Sequence, residues 1–264
     1  MTRLFGAVAS SRLRLQYRTR MEIHVIHTAR EAESEDFDGS LAVVIDVLRA
    51  TTVLATLLAS GANRIYPVRS VSDAFELKDR TPGALLCGER GGFPVEGFDH
   101  GNSPVTFGTM DLAGRTIILT TTNGTRAAEA ASAAFALFAA SLVNLSAVAE
   151  SIARLSERSE GEFRDIKIVC SGTNDRYSID DVYAAGLLCG KIAASPAADT
   201  LSDSALAATI VAAGDARDLI SGSSHAGYLR EHGFFADVEY ALSIDTNRTV
   251  PRYFEGYFSD GSIR

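Results

Sequence analysis

At 264 residues, 46% hydrophobic and 22% charged, the chain is long enough to enclose a full α/β core, yet no apolar run approaches the ~20 residues of a membrane-spanning helix. A net charge of −8 argues against nucleic acid as a partner, because phosphate backbones demand a basic surface. The cysteines Cys87, Cys170 and Cys189 are odd in number and too widely spaced for a metal knuckle, so reduced thiols in a cytoplasmic protein are expected.

Residues 1–20 carry Arg3, Arg12, Arg14, Arg18 and Arg20 and no acid. They lack the apolar centre of a secretory signal. This basic leader is expected to be a disordered tail, or to precede a true start at Met21. Without its arginines the remainder carries −13, and residues 21–264 are expected to form one α/β catalytic domain. Strand-like sequence begins at Met21-Glu22-Ile23-His24-Val25-Ile26. Leu41–Ile45 reads as a buried strand, followed by a helix over 50–60. Ile65–Val68 is a short strand that Pro67 ends or moves to an edge, and a helix is expected over 71–80. Ala84–Cys87 and Thr116–Thr120 are further strands, the second leading through Asn123-Gly124 into a helix over 125–133. The pattern continues with strands at Phe135–Ala139 and Ile166–Cys170, and helices over 145–155 and 179–194. Ser178 and Asp181 have capping-box spacing at the start of the last of these. Residues 195–232 read as more helix, broken near Gly214 and Ser221-Gly222, and Thr249–Phe258 as an aromatic strand. Repeated β-then-α units predict an α/β fold, a three-layer α/β/α arrangement with a mostly parallel or mixed sheet.

In such sheets, sites form beyond the carboxyl ends of strands. Four polar clusters fall there: Asp46–Thr52, Gly88–Gly92, Thr121–Thr125 and Ser171–Thr173. Gly97–Pro104, in the loop after the second, is a fifth. Asp46 follows an unbroken apolar strand, where a carboxylate can ligate Mg²⁺ or attack phosphorus; a helix N-cap is the structural alternative. Arg49 can grip phosphate as a bidentate fork, and Thr51 and Thr52 add donors at a helix start. Glu89 and Arg90 repeat the acid–arginine pairing, with a solvated ion pair as the alternative. Thr122, Asn123, Gly124 and Thr125 are candidates for an anion-cradling loop. Asp99 offers a further oxygen ligand, and Asn102 and Ser103 further donors. Of Asp180 and Asp181, one is expected to face solvent or stabilise the helix start and the other to enter the site.

Other chemistries fit less well. Cys170 and Arg176 have the C-x5-R spacing of cysteine-dependent phosphatases, but Asp175 would sit inside the phosphate nest and Tyr177 stands where a hydroxyl is needed. The thiolate reading therefore ranks second, and a non-catalytic binder of small anions third. His24, His27, His100, His225 and His232 form no zinc motif. His225 could contact the site, although a packed or capping role is the plainer reading. No Walker loop and no dinucleotide fingerprint is present.

The strings VVIDVLRATT (43–52), CGERGG (87–92), GFDHGNSP (97–104), TTNGT (121–125) and CSGT with SIDDVYAAG (170–186) together resemble the 2-phosphosulfolactate phosphatase family over about residues 22–258. The resemblance implies a Mg²⁺-dependent acid phosphatase that converts 2-phospho-3-sulfolactate to 3-sulfolactate and phosphate, on a route to coenzyme M or to sulfolactate. It also implies a small anionic phosphoester as the partner. Arg49 and Arg90 would neutralise that substrate, and Asp46 and Glu89 would hold the metal, with Asp99 or Asp181 in reserve. The leader and Thr173–Tyr177 depart from the family pattern. That departure leaves room for another phosphorylated 2-hydroxyacid as substrate. The aromatic residues Tyr253, Phe254, Tyr257 and Phe258 allow a homodimer contact, and a core strand explains them equally well.

Overall fold

The computed structural model describes residues 21–159, 162–195, 197, 198 and 200–262; the leader expected over 1–20 lies outside them. Eleven strands form one mixed sheet: β1 (Glu22–Ile26), β2 (Leu41–Ile45), β3 (Arg64–Pro67), β4 (Leu85–Arg90), β5 (Phe93–Pro94), β6 (Thr116–Thr120), β7 (Ala136–Ala140), β8 (Asp165–Cys170), β9 (Thr200–Leu201), β10 (Pro251–Phe254) and β11 (Tyr257–Asp260). Their order is β5-β4-β6-β3-β11-β10-β7-β2-β8-β1-β9. Helices flank the sheet, so the expected α/β class holds, with a mostly parallel, mixed sheet.

Two parallel blocks, β4-β6-β3 and β7-β2-β8-β1-β9, are joined by the β10–β11 hairpin. The run read as one aromatic strand is this hairpin, turning at Glu255-Gly256. Three antiparallel pairings in succession separate the blocks, so they run in opposite senses along the ladder. Neighbouring strands twist by roughly 20–25° each, and the six steps from β4 to β2 therefore turn one against the other by about 120–150°. Such a rotation works against the reversal, and residues at the carboxyl ends of strands in both blocks line a common pocket.

The helix Ala50–Ala59 explains how the sheet is held in this shape. It carries no charged residue, its three threonine hydroxyls bond to backbone carbonyls, nine of its ten residues are buried, and it touches β7, β10 and β11 as well as the Pro104–Gly108 helix. A helix without a charged face belongs in a core, and here it packs against the middle of the sheet. Val53, Leu57, Ile65, Phe107, Leu119 and Phe258 form the cluster it anchors. The largest core lies beneath the other block, where Val43 and Ile45 of β2 pack with Ile166, Ile168 and Cys170 of β8 and with the Leu145–Arg158 and Ile179–Ala193 helices.

The expected capping box at Ser178 does not form. Its hydroxyl donates to Asp180 instead (2.6 Å), because Asp181 is engaged elsewhere. The Asp181 carboxylate accepts from the N–H groups of Val47 (2.8 Å) and Gly172 (2.9 Å), tying together the loops that leave β2 and β8. Both aspartates are buried, so neither faces solvent; Asp180 lies in the first turn of the helix and accepts from its N-cap Ser178, in keeping with the other half of that expectation, a role at the helix start.

Candidate active site

A pocket of about 360 Å³ opens where the strand ends converge. Each of the five polar clusters contributes to its wall: Asp46 and Arg49, Glu89 with Gly91 and Gly92, Asn102, Thr121–Asn123, and Thr173. A sixth segment, the helix Ser224–Glu231, closes one side with Ser224, His225 and Tyr228.

Asp46 sits at the turn from β2 into the Ala50–Ala59 helix. Its Oδ1 accepts from the N–H of Ala50 (3.0 Å), as a cap does, while among the described residues no group donates to Oδ2. The residue is only 7% exposed. Burial, above all, pushes its pKa up to about 7; the Ala50 N–H opposes the shift, the negative charges of Asp180 and Glu89 add to it, and Arg49 opposes it. Gly124 makes room for this carboxyl: a side-chain carbon there would lie 2.6 Å from Ala50 Cβ and 3.0 Å from Asp46 Oδ2. Thr51 and Thr52, expected to bind substrate, hold this turn instead and do not reach the pocket. The Thr51 hydroxyl exchanges hydrogen bonds with the Asp46 backbone (2.9 Å), and Thr52 donates to the Val47 carbonyl (2.8 Å).

Arg49 is fixed from three directions. Its Nη1 donates to Asp237 Oδ2 (2.6 Å) in a buried ion pair, its Nη2 donates to the Gly92 carbonyl (2.7 Å), and its guanidinium lies 4.3 Å over the Phe234 ring. Two bonds leave other N–H groups of its five free to meet a ligand. Asp237, which completes this arrangement from the helix Phe235–Ala241, has no local sequence signal. Ser103 donates to its other oxygen (2.5 Å) and caps the Pro104–Gly108 helix, so Ser103 supports the site rather than lining it.

Glu89 is the second buried carboxylate of the wall. Thr122 N–H (2.8 Å) and hydroxyl (3.0 Å) donate to Oε1, and Gly92 N–H (2.7 Å) to Oε2. Three of its roughly four lone-pair sites are thus used. Arg90 does not join it. Neighbouring residues of a strand point to opposite faces, and β4 continues through Arg90. The guanidinium therefore turns away and donates to the carbonyls of Glu89 and Arg69 and to Thr120 Oγ1.

Asn102 lies in the wall with its Oδ1 buried and unpartnered, an arrangement suited to a polar ligand. Thr122 and Asn123 line the pocket. Thr125 does not, since its hydroxyl donates to the Thr121 carbonyl (2.9 Å). Asp99 is excluded from the site: it is exposed, accepts from Leu86 N–H (2.8 Å) and pairs with Lys78 (3.7 Å). Asp181 is excluded too, because both its oxygens serve backbone N–H groups behind the wall. Among the described residues no cluster of three or more His, Cys, Asp or Glu could hold a metal by itself. Two carboxylates with substrate and water completing the shell is the arrangement Mg²⁺ favours, and Asp46, with its free Oδ2, and Glu89 fit that requirement.

Cys170 is fully buried with Ile166 and Ile168 on the core face of β8. Burial, then the charge of Asp181, push its thiol well above the ordinary range. Arg176 is exposed, and Asp175 pairs with Arg126 (2.6 Å). No phosphate nest forms, so the thiolate reading loses its nucleophile.

His225 is in the pocket wall, contrary to the plainer reading of a packed or capping residue. Its Nδ1 lies 3.0 Å from Thr173 Oγ1. Burial, above all, lowers its pKa; Asp180 and Glu89 oppose the shift and Arg49 adds to it.

The family model described as 2-phosphosulpholactate phosphatase matches residues 26–256. Curated relatives named "Probable 2-phosphosulfolactate phosphatase" align over most of both chains. That of Carboxydothermus hydrogenoformans is 38% identical over 221 residues, covering 84% of this chain and 88% of the relative. That of Deinococcus radiodurans is 40% identical, covering 82% and 88%. That of Thermotoga maritima is 40% identical, covering 82% and 90%. The chain belongs to the 2-phosphosulfolactate phosphatase family, a family of phosphoric monoester hydrolases.

Proposed function

We propose that this family member hydrolyses 2-phospho-3-sulfolactate, or a closely related phosphorylated 2-hydroxyacid, to the hydroxyacid and phosphate in a Mg²⁺-dependent reaction. The observation that carries the reading is the Asp46 carboxyl: buried at the pocket, one oxygen free, and facing a wall that also holds a fixed arginine. An anionic phosphoester needs positive charge around its phosphoryl oxygens, and catalysis of phosphoryl transfer is mainly positioning and charge stabilisation. Arg49 supplies part of that charge in a fixed orientation, which costs little reorganisation during reaction. Asp46 Oδ2 and the remaining acceptor site of Glu89 would hold Mg²⁺, which supplies further positive charge to the phosphoryl oxygens. Asn102, Thr122 and Asn123 would orient the rest of the substrate.

Phosphate release is the test, measured over a panel of phosphorylated 2-hydroxyacids with Mg²⁺ and with EDTA. Turnover of 2-phospho-3-sulfolactate that EDTA abolishes and Mg²⁺ restores is expected. Turnover indifferent to EDTA would remove the metal, and tight binding without turnover would reduce the protein to a binder of small anions.

A further inference from the structure

The wall of the pocket ends in a chain of hydrogen bonds that takes no part in holding the metal or the phosphoryl group. His225 Nδ1 meets Thr173 Oγ1 (3.0 Å), Thr173 Oγ1 meets Ser178 Oγ (3.1 Å), and Ser178 Oγ donates to Asp180 Oδ1 (2.6 Å). Its members come from the loop after β8, the start of the Ile179–Ala193 helix and the start of the Ser224–Glu231 helix.

A count of protons fixes the direction of the chain. A hydroxyl has one proton to give, and a carboxylate only accepts. Ser178 gives its proton to Asp180, so toward Thr173 it can only accept. Thr173 must therefore give its proton to Ser178 and accept from His225. That requirement places a proton on Nδ1 in both charge states of the ring and leaves Nε2 as the nitrogen that gains or loses one. Nε2 has no hydrogen-bond partner among the described residues, and the ring lines the pocket.

We infer that His225 is the catalytic proton donor to the departing oxygen of the ester, with Thr173, Ser178 and Asp180 as its positioning residues. The inference rests on the phosphatase reading. The P–O bond to the 2-oxygen breaks as the Nε2–H proton passes to that oxygen, giving the free hydroxyl. Water adds its oxygen to phosphorus and releases one proton to solvent, and Nε2 takes a proton back from solvent. Phosphoryl transfer runs through a loose transition state that places charge on the leaving oxygen. An alkoxide is a poor leaving group, so a proton supplied there is worth more than a base acting on the water. Burial and Arg49 favour the neutral ring, Asp180 and Glu89 the charged one; a polyanionic substrate arriving beside it adds to the second side.

The discriminating experiment compares two esters in the full-length protein with Mg²⁺: 2-phospho-3-sulfolactate, whose leaving group needs a proton, and 4-nitrophenyl phosphate, whose leaving group does not. For His225→Gln, kcat on the alkyl ester should fall about 10²-fold, within the range for general acid catalysis, and at least tenfold more than on the aryl ester. Thr173→Val should shift the same ratio in the same direction, and Thr173→Ser should restore it. Equal losses on the two esters, or no loss on the alkyl ester, would overturn the inference while leaving the phosphatase reading intact. A wild-type protein that hydrolyses neither ester would overturn both. Thr173→Val keeps the test decisive if His225→Gln fails to fold, since it leaves the imidazole in place.

Discussion

Two strand ends of this molecule carry the same short message, an acid followed closely by an arginine, and the fold gives them different work. At the end of β2, Asp46 and Arg49 are three residues apart across a strand-to-helix turn, and both reach the pocket. At the end of β4, Glu89 and Arg90 are adjacent on a strand, so one faces the pocket and the other the far side. Their hydrogen bonding differs as well. Glu89 is surrounded by three donors, whereas Asp46 has one, is buried, and lies near two other carboxylates. The first strand end stores an unmet demand for positive charge and the second is satisfied by its own loops. Spacing along the chain and the number of donors, rather than residue type, separate a carboxylate left short of donors from one that its own loops satisfy.

Breaking the support of Arg49 should have the largest effect on stability. Asp237→Ala leaves a buried guanidinium without its counter-charge, and such losses cost about 3–5 kcal/mol. Urea denaturation should show a correspondingly lower midpoint, and a change under ~1 kcal/mol would mean that the pair is not desolvated as the structure has it.

Asp46→Asn should act in the opposite direction. The native Asp46 carboxyl is pushed up to about 7, against about 4 in an unfolded chain, so the folded protein holds this proton longer. The stability gained that way is full below the unfolded value and is lost as pH rises through 7. The amide keeps the Oδ1 acceptor and carries no charge. Thermal melts at pH 5 and pH 8 should show the variant gaining on wild type by roughly 1–4 kcal/mol as pH rises; a loss at pH 8 would show that the buried charge is already compensated.

Glu89→Gln sharpens the contrast from the other side. Its amide nitrogen would face a donor that the carboxylate accepted, for a cost of about 1–3 kcal/mol at neutral pH. A gain in stability would make Glu89 a second strained carboxylate and erase the distinction. Arg90→Met should be mildest, about 1 kcal/mol from hydrogen bonds outside the pocket, with kcat within about threefold of wild type as expected for a side chain that never meets the transition state. A loss of activity approaching that of Asp46→Asn would return Arg90 to the site.

The pattern of residue types makes the sheet, its helices and the four polar strand ends legible, because an apolar run that stops at Asp, Gly or Ser/Thr marks both a strand and its mouth. Arg90 was misleading since the apolar run ends at Cys87 while pairing with β5 and β6 carries β4 on through Arg90. Asp181 looked like a cap or a ligand because the loops it ties, at Val47 and Gly172, are joined only in the folded chain. Asp237 has no local pattern that marks it, and for His225 the local pattern allows a contact with the site without favouring it over a packed or capping role. Asp237 lies 188 residues from Arg49, and both residues come from a helical stretch that ends no strand. The hairpin between the parallel blocks hid in an aromatic run whose turn, Glu255-Gly256, is only two residues long.

Asp46 as the carboxylate around which a Mg²⁺-dependent phosphatase works is tested most directly by phosphate release from 2-phospho-3-sulfolactate. The comparison is wild type against Asp46→Asn, each with Mg²⁺ and with EDTA, both shown to be folded by circular dichroism. The account predicts wild-type turnover that EDTA abolishes, and a folded variant whose kcat is down by about 10²–10³-fold or more, the scale of losing charge stabilisation at a transition state. A folded Asp46→Asn protein that retains wild-type, Mg²⁺-dependent turnover would contradict it.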